Sequence, residues 1–168
     1  MAQIQTTKKV VRACMLDLPI SPKHSVEISK ALRFRTITYA KKVLEGLVTL
    51  EKPIKFTRYD QDLGHKPGIG AGRFPQKAAT HFMKLVNSVE ANALHLGLNT
   101  SNLKIIKLVS NKGACPARAG RIRGTRKRTN LEIEVCEVAP KAKSAPRAAG
   151  VAGAAKSKSA PKAESTKK

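Results

Sequence analysis

The sequence predicts an α+β domain from which a basic β-hairpin projects, followed by an extended tail. Three observations carry that expectation. Three stretches place apolar residues at helical spacing. Two later stretches, around residues 103–109 and 131–138, read as strands, the second with apolar residues in strict alternation. The stretch that joins those strands is rich in Arg and Gly and contains no acid. The domain is expected over residues 1–139, with the hairpin at about 110–130 and an Ala/Lys/Pro-rich basic tail over 140–168.

Each element has its own local cause. Val10 to Leu18 reads as an extended segment. Ser21-Pro22 then marks a helix start, with Ser as N-cap and Pro at the first helical position. That helix runs to about Leu32, with Ile28, Ala31 and Leu32 on one face. A second helix is predicted from Thr36 to Leu50, because Ile37, Ala40, Leu44, Leu47 and Val48 recur at helical spacing. Glu51 to Phe74 is expected to be a flexible loop, longer than ordinary connections and therefore functional or held by a partner. The third helix opens at Pro75 and stops at Gly97, with Ala78, Ala79, Phe82, Val86, Val89 and Ala93 as its apolar stripe. Leu103 to Val109 and Leu131 to Val138 are the two strands.

Charge narrows the function. Lys and Arg number 33 against 11 Asp and Glu, a formal net charge of +22. Like charges at that density repel, so compaction calls for a polyanion. Nucleic acid is the first candidate, since each neutralised phosphate releases condensed counterions; an anionic membrane is the second. Aromatic residues make up 4% of the chain and there is no Trp, which points to phosphates and RNA shape rather than to stacking of splayed bases. Three widely spaced cysteines, Cys14, Cys115 and Cys136, indicate a reducing compartment rather than a disulfide framework. No apolar run approaches the ~20 residues of a membrane span, and the first residues lack the apolar core of a secretory signal. A cytosolic protein is expected. The tail carries eight Lys or Arg against one acid, Glu164, and too few bulky apolar groups to order itself.

The inter-strand stretch holds the most chemistry. Lys112, Arg118, Arg121, Arg123, Arg126, Lys127 and Arg128 supply charge, while Gly113, Gly120 and Gly124 supply backbone freedom. Such an arm has little apolar cover of its own, but between RNA helices its Arg forks can grip phosphates in pairs. The plain alternative is a solvated, disordered basic loop; the strands on both sides argue against it. A second basic zone brings Arg58, His65, Lys66, Arg73 and Lys77, the last two near the anion-favouring start of the third helix. Its glycines at 68, 70 and 72 do not form a nucleotide loop, because the spacing is not G-x-G-x-x-G, no strand is expected before them and no Gly-Lys-Ser/Thr follows. The four histidines are dispersed and no C-x-x-C occurs, so no metal site and no cofactor is expected. His81 and His95 read as surface residues and Cys136 as a small strand residue. No acid pair is placed for general acid–base work, so no catalysis is expected.

Four motifs in order, ISPKHSVEISKALR, GHKPGIGAGRFPQKAA, NSVEANALHLGL and NKG…ARAGRI…KRT…LEIEV, resemble the family of the universal large-subunit ribosomal protein numbered twenty-two. The likeness covers about residues 10–138, and the 51–73 loop is similar to the archaeal and eukaryotic form. The resemblance implies three helices against a three-stranded antiparallel sheet, a place near the exit-tunnel mouth, and a hairpin that runs inward through ribosomal RNA. Partners implied are large-subunit ribosomal RNA, neighbouring ribosomal proteins and nascent chain at the hairpin tip, Pro116, Ala117, Arg118, Ala119, Gly120 and Arg121. Carried over onto matching positions, RNA contacts are expected at Lys23, Arg73, Lys77, Ser88, Asn92, Lys112, Gly113, Arg118, Gly120, Arg121, Lys127, Arg128 and Thr129. The chain departs from the family in an ascending arm several residues shorter than usual, in Pro116-Ala117-Arg118 where a Pro-Arg-Ala step is usual, and in Arg33-Phe34 where an Arg-Gly turn is common.

Two other classes compete. A DNA or chromatin binder would offer a recognition helix aimed at base edges, whereas the third helix carries Gln76, Lys77, Lys84 and Asn87 on a mostly structural scaffold. A membrane-active polycation would oppose its basic face with a bulky apolar one, which the tail lacks.

Overall fold

The computed structural model describes residues 9–121 and 123–138; the expected tail at 140–168 lies outside the described residues. Among the described residues the order is β1 (Val10–Leu18), α1 (Pro22–Leu32), α2 (Ile37–Val48), β2 (Ile54–Lys55), β3 (His65–Lys66), β4 (Gly70–Arg73), α3 (Gln76–His95), β5 (Leu103–Lys112) and β6 (Thr129–Glu137). A single 3-10 turn, Thr100–Asn102, leads into β5. The principal sheet is antiparallel with order β1-β6-β5. Val10 faces Cys136 at one end, and the ladder slips between Met15 and Leu18 before Leu18 meets Thr129. β5 pairs with β6 from Leu103 opposite Glu137 to Lys112 opposite Thr129, with a second slip between Ile105 and Lys107.

The alternation in β6 turns Leu131, Ile133 and Val135 toward the helices. They meet Ile28 and Leu32 of α1, Leu44 and Leu47 of α2, and Phe82, Leu85, Val86 and Val89 of α3 in one core. At about 1.5–3 kcal/mol for each fully buried large apolar side chain, this core supplies the main attraction that opposes charge repulsion. Both edges of the sheet are bonded to neighbouring elements at points along their length. The α1–α2 connection pairs with β5, where Phe34 N–H donates to Ile105 O (3.1 Å) and Ile105 N–H to Arg35 O (2.9 Å), and Arg33 Nη2 donates to Leu108 O (3.0 Å). On the other edge Asn92 Nδ2 donates to Arg12 O (3.2 Å). On the solvent face Arg12 and Lys107 flank Glu134 at 3.1 and 3.2 Å; exposed pairs of this kind contribute little.

Several expectations are corrected. Ser21 is the N-cap of α1, but its side chain caps nothing; the Ser25 hydroxyl instead donates to Ser21 O (2.9 Å). Ala31 is exposed, and α1 buries Glu27, Ser25 and Ser29 beside Ile28 and Leu32. The polar burial has partners: Ser29 Oγ lies 2.6 Å from Ser110 Oγ of β5. α2 ends at Val48 rather than Leu50, because Leu50 takes a left-handed conformation (φ 65°) and Lys52 N–H bonds back to Gly46 O. α3 stops as expected, with Gly97 at φ 71° and its N–H donating to Leu94 O (2.9 Å).

The largest correction concerns Glu51 to Phe74. This stretch folds into a second small sheet, order β2-β4-β3. Positive φ at Gly68 (77°) and Gly70 (73°) makes the tight turn between β3 and β4. At Gly72 a Cβ would come within 2.8 Å of Ile69 Cδ1 and 3.2 Å of Ile54 O. Ile54 and Phe56 are buried and fasten the sheet to the domain. The buried Glu27 carboxylate accepts from Arg58 N–H (2.9 Å) and from the Thr57 hydroxyl (3.2 Å). A strand, β3, does precede the glycines, contrary to expectation, but it pairs with β4, so they serve an antiparallel hairpin and not a strand–loop–helix phosphate cradle.

Candidate nucleic-acid interface

The arm between β5 and β6 is a hairpin with a slack middle. Beyond the Lys112–Thr129 pair, Gly113 N–H donates to Arg128 O (3.0 Å). Pairing resumes at Ala117 opposite Thr125, where Arg118 N–H bonds Gly124 O and Arg126 N–H bonds Pro116 O, both at 2.9 Å. Gly120 (φ 76°) and Gly124 (φ 115°) take up the turn. Ala114, Pro116 to Arg121 and Arg123 to Lys127 are exposed.

A clamp at the base sets the direction of this arm. Arg128 Nη1 donates to Asp17 O (2.7 Å), and Asp17 N–H donates to Asn130 Oδ1 (2.9 Å). Asp17 itself is left-handed (φ 52°), where the β1–β6 ladder slips. Thr129 is fully buried and its hydroxyl donates to Ile20 O (3.0 Å). Its hydroxyl is therefore spent inside the protein, and its place in the motif is explained by the clamp rather than by an RNA contact. Gly113 fits because a Cβ there would lie 3.2 Å from Arg128 Cβ and Asn130 Oδ1.

Three adjoining clefts connect the arm to the rest of the domain. Lys77, Arg118, Arg126, Lys127 and Arg128 line the first, a cleft of about 710 Å³. Lys77 and Lys127 also border the second, with Ser21, His24 and Pro75 at the start of α1 and α3. Neither helix has a side-chain N-cap hydrogen bond, so their first N–H groups add to the positive field. His24 also lines the third cleft, with Lys23, Arg58, Tyr59 and Arg73. Burial lowers the His24 pKa below 6.5, and Arg73 and Lys127 lower it further. The imidazole is therefore neutral in the free protein at pH 7, and a phosphate placed among these cations favours its protonation.

Lys23, Arg58, Arg73, Lys77, Arg118, Arg126, Lys127 and Arg128 thus share one surface. Arg121, Arg123 and Gly120 stand at the exposed tip, and Lys112 is exposed at the end of β5. His65 and Lys66 lie on the second sheet, with Lys66 Nζ 5.6 Å from the Phe74 ring centroid. Ser88 is half-buried within α3, and Asn92 donates to Arg12 O on the edge of β1 as described. Sequence reasoning overlooked Glu27, His24, Tyr59, Gln61 and Asp62. Tyr59 had a signal, an aromatic beside Arg58 in a basic segment; Glu27 had one too, an acid within the buried face of a helix.

The family described as ribosomal protein L22p/L17e matches residues 13–138. A relative from Methanoculleus marisnigri, named large ribosomal subunit protein uL22, is 41% identical over 141 residues, 79% of this chain and 92% of its own. Relatives of the same name from Ignicoccus hospitalis and Staphylothermus marinus are 38% and 35% identical, over 78% and 81% of this chain and 90% and 94% of theirs.

Proposed function

This chain belongs to the ribosomal protein L22p/L17e family, and from that membership we propose that it holds ribosomal RNA along its connected basic clefts and threads its β5–β6 arm between RNA helices to the wall of the nascent-peptide exit tunnel. It is a structural constituent of the large ribosomal subunit and not an enzyme, and it serves translation in the cytoplasm. Neighbouring ribosomal proteins are further partners. Arg118, Arg121, Arg123, Arg126 and Lys127 neutralise phosphates along the arm, while Lys23, Arg58, Arg73 and Lys77 do so at the domain. Pro116 to Arg121 form the tip that meets the tunnel and the nascent chain.

The observation that carries this proposal is the alignment of the arm with two uncapped helix starts on one cationic surface. An arm with so little apolar cover gains most of its order from phosphates. Binding of the full chain to large-subunit ribosomal RNA tests it. With six to ten phosphates neutralised, affinity falls about 10³- to 10⁵-fold between 50 and 200 mM salt. An affinity indifferent to salt overturns the proposal. For the tip, a photo-crosslinker in place of Ala119 in assembled subunits captures an arrested nascent chain; capture of RNA alone removes the tunnel-wall role.

A further inference from the structure

We propose that the cleft between the first turn of α1 and the Phe56–Leu63 segment is a pocket for one unpaired RNA nucleotide, with its base stacked on Tyr59. The inference rests on the ribosomal RNA reading above and adds to it a contact of another kind, because the rest of the surface offers cations to phosphates.

Of the three basic clefts, this one alone adds Tyr59, Phe56 and a carboxylate, Asp62, to its cations. Tyr59 is 37% exposed, and Lys23 Nζ sits 5.5 Å from the ring centroid. The ammonium stations the ring at the rim and covers one face, and the base takes the other. The floor is the buried Phe56, against which the His24 ring stands edge-on at 5.6 Å. Arg58 and Arg73 line the same cleft and suit the nucleotide's phosphate. Gln61 and Asp62 line it as well. A carboxylate repels phosphate but accepts from base N–H groups, as Asp does from an exocyclic amine. Among the described residues Asp62 makes no ion pair, so its oxygens are available. Asp62 is left-handed (φ 57°) in a tight turn, where Leu63 N–H donates to Asp60 O (3.3 Å). The segment is held at its start by the bonds from Arg58 N–H and the Thr57 hydroxyl to Glu27. The cleft, of about 340 Å³, accommodates one nucleotide. A paired base has its edge occupied and its faces stacked, so the pocket requires a bulged or looped residue.

Tyr39 and Tyr59 are the two tyrosines and there is no Trp. In the full chain carrying Tyr39→Phe, Tyr59 is therefore the emitting residue. Titration with an adenine RNA tetranucleotide gives saturable quenching, and a ribose-phosphate tetramer lacking bases gives none. Equal quenching by both, or by neither, overturns the pocket. In parallel, Tyr59→Ala weakens binding to large-subunit ribosomal RNA about 5- to 150-fold, as expected for loss of one stacked base, with the salt slope unchanged. Tyr59→Phe retains affinity, while Arg58→Ala lowers the slope by about one. If Tyr59→Ala binds as the wild type does and binding stays steeply salt-dependent, the pocket fails and the phosphate-binding reading stands. If the wild type shows no such salt dependence, that broader reading fails first.

Discussion

Phe34 is the residue where local strain is most exposed to test. Its φ of 65° is left-handed, which costs a side-chain-bearing residue roughly 1–2 kcal/mol, and the ring is 62% exposed and recovers little by packing. The backbone is fixed regardless, because Phe34 N–H donates to Ile105 O. Phe34→Gly relieves the strain, less the entropy that Gly adds to the unfolded chain, so stability rises by about 0.5–1 kcal/mol in chemical denaturation. A loss would mean that the ring has a packing role. Glu27 poses the reverse case, a buried carboxylate whose two partners lie on the Thr57–Arg58 segment. Glu27→Ala leaves those donors without an acceptor and costs about 1–3 kcal/mol. Glu27→Gln keeps one acceptor and costs less, and hydrogen exchange at the Arg58 amide quickens in step. His24 gives the pH dependence. Its folded pKa is lowered, so as pH falls through about 6.5 the unfolded chain takes the proton first and stability declines. Denaturation at pH 7.5 and 5.5 finds a smaller decline in His24→Gln than in wild type, with His81, lowered by burial and by Lys84 and Lys77, contributing equally to both.

At the scale of elements, the arm is defined less by its charges than by the clamp at its base. Gly113→Val forces a side chain against Arg128 and Asn130, each about 3.2 Å from where a Cβ would sit. The arm then leaves β5 and β6 in another direction with every cation intact. Ribosomal RNA affinity drops by at least tenfold while net charge is unchanged; an unaffected affinity would show that direction does not matter. The helices and the β5–β6 pair were legible in the sequence because periodicity reports burial directly, as the stripe from Ala78 to Ala93 and the Leu131-Ile133-Val135 alternation do. The second sheet was not legible: β2 and β3 are two residues each and too short for a period to show. Their order comes from Gly72 fitting beneath Ile69 and from Glu27, some thirty residues away, bonding to Thr57 and Arg58. The cationic residues of the site were visible one by one, yet their union through His24, Ser21 and Pro75 depends on α1 and α3 starting side by side. The clamp was hidden for the same reason, since Asp17 and Arg128 are 111 positions apart.

For the whole molecule, charge acts with opposite sign on folding and on binding. The free chain confines a formal charge of +22. Among the described residues the ion pairs join Arg12 with Glu134, Lys41 with Glu90, and Lys107 with Glu132 and Glu134. They cancel little of the repulsion, which falls on the cationic clefts and the arm. Screening shortens from about 10 Å at 0.1 M ionic strength to about 3 Å at 1 M, and the clefts gather like charges on one surface. The thermal midpoint of the isolated chain therefore rises when sodium chloride is increased from 0.05 to 0.5 M, while its affinity for ribosomal RNA collapses over the same interval. Chloride is a weak kosmotrope, so a gain of this kind reports screening rather than strengthened apolar burial. Neutralising Lys77 and Lys127 together, as Lys77→Gln and Lys127→Gln, raises the midpoint at low salt and reduces its further rise with salt, because these two residues face the same cleft. A midpoint that falls with salt, or a double variant that melts lower at 0.05 M, would mean that the cationic surface is stabilised by contacts within the protein. RNA would then be a binder of a finished fold rather than the counter-charge that completes it.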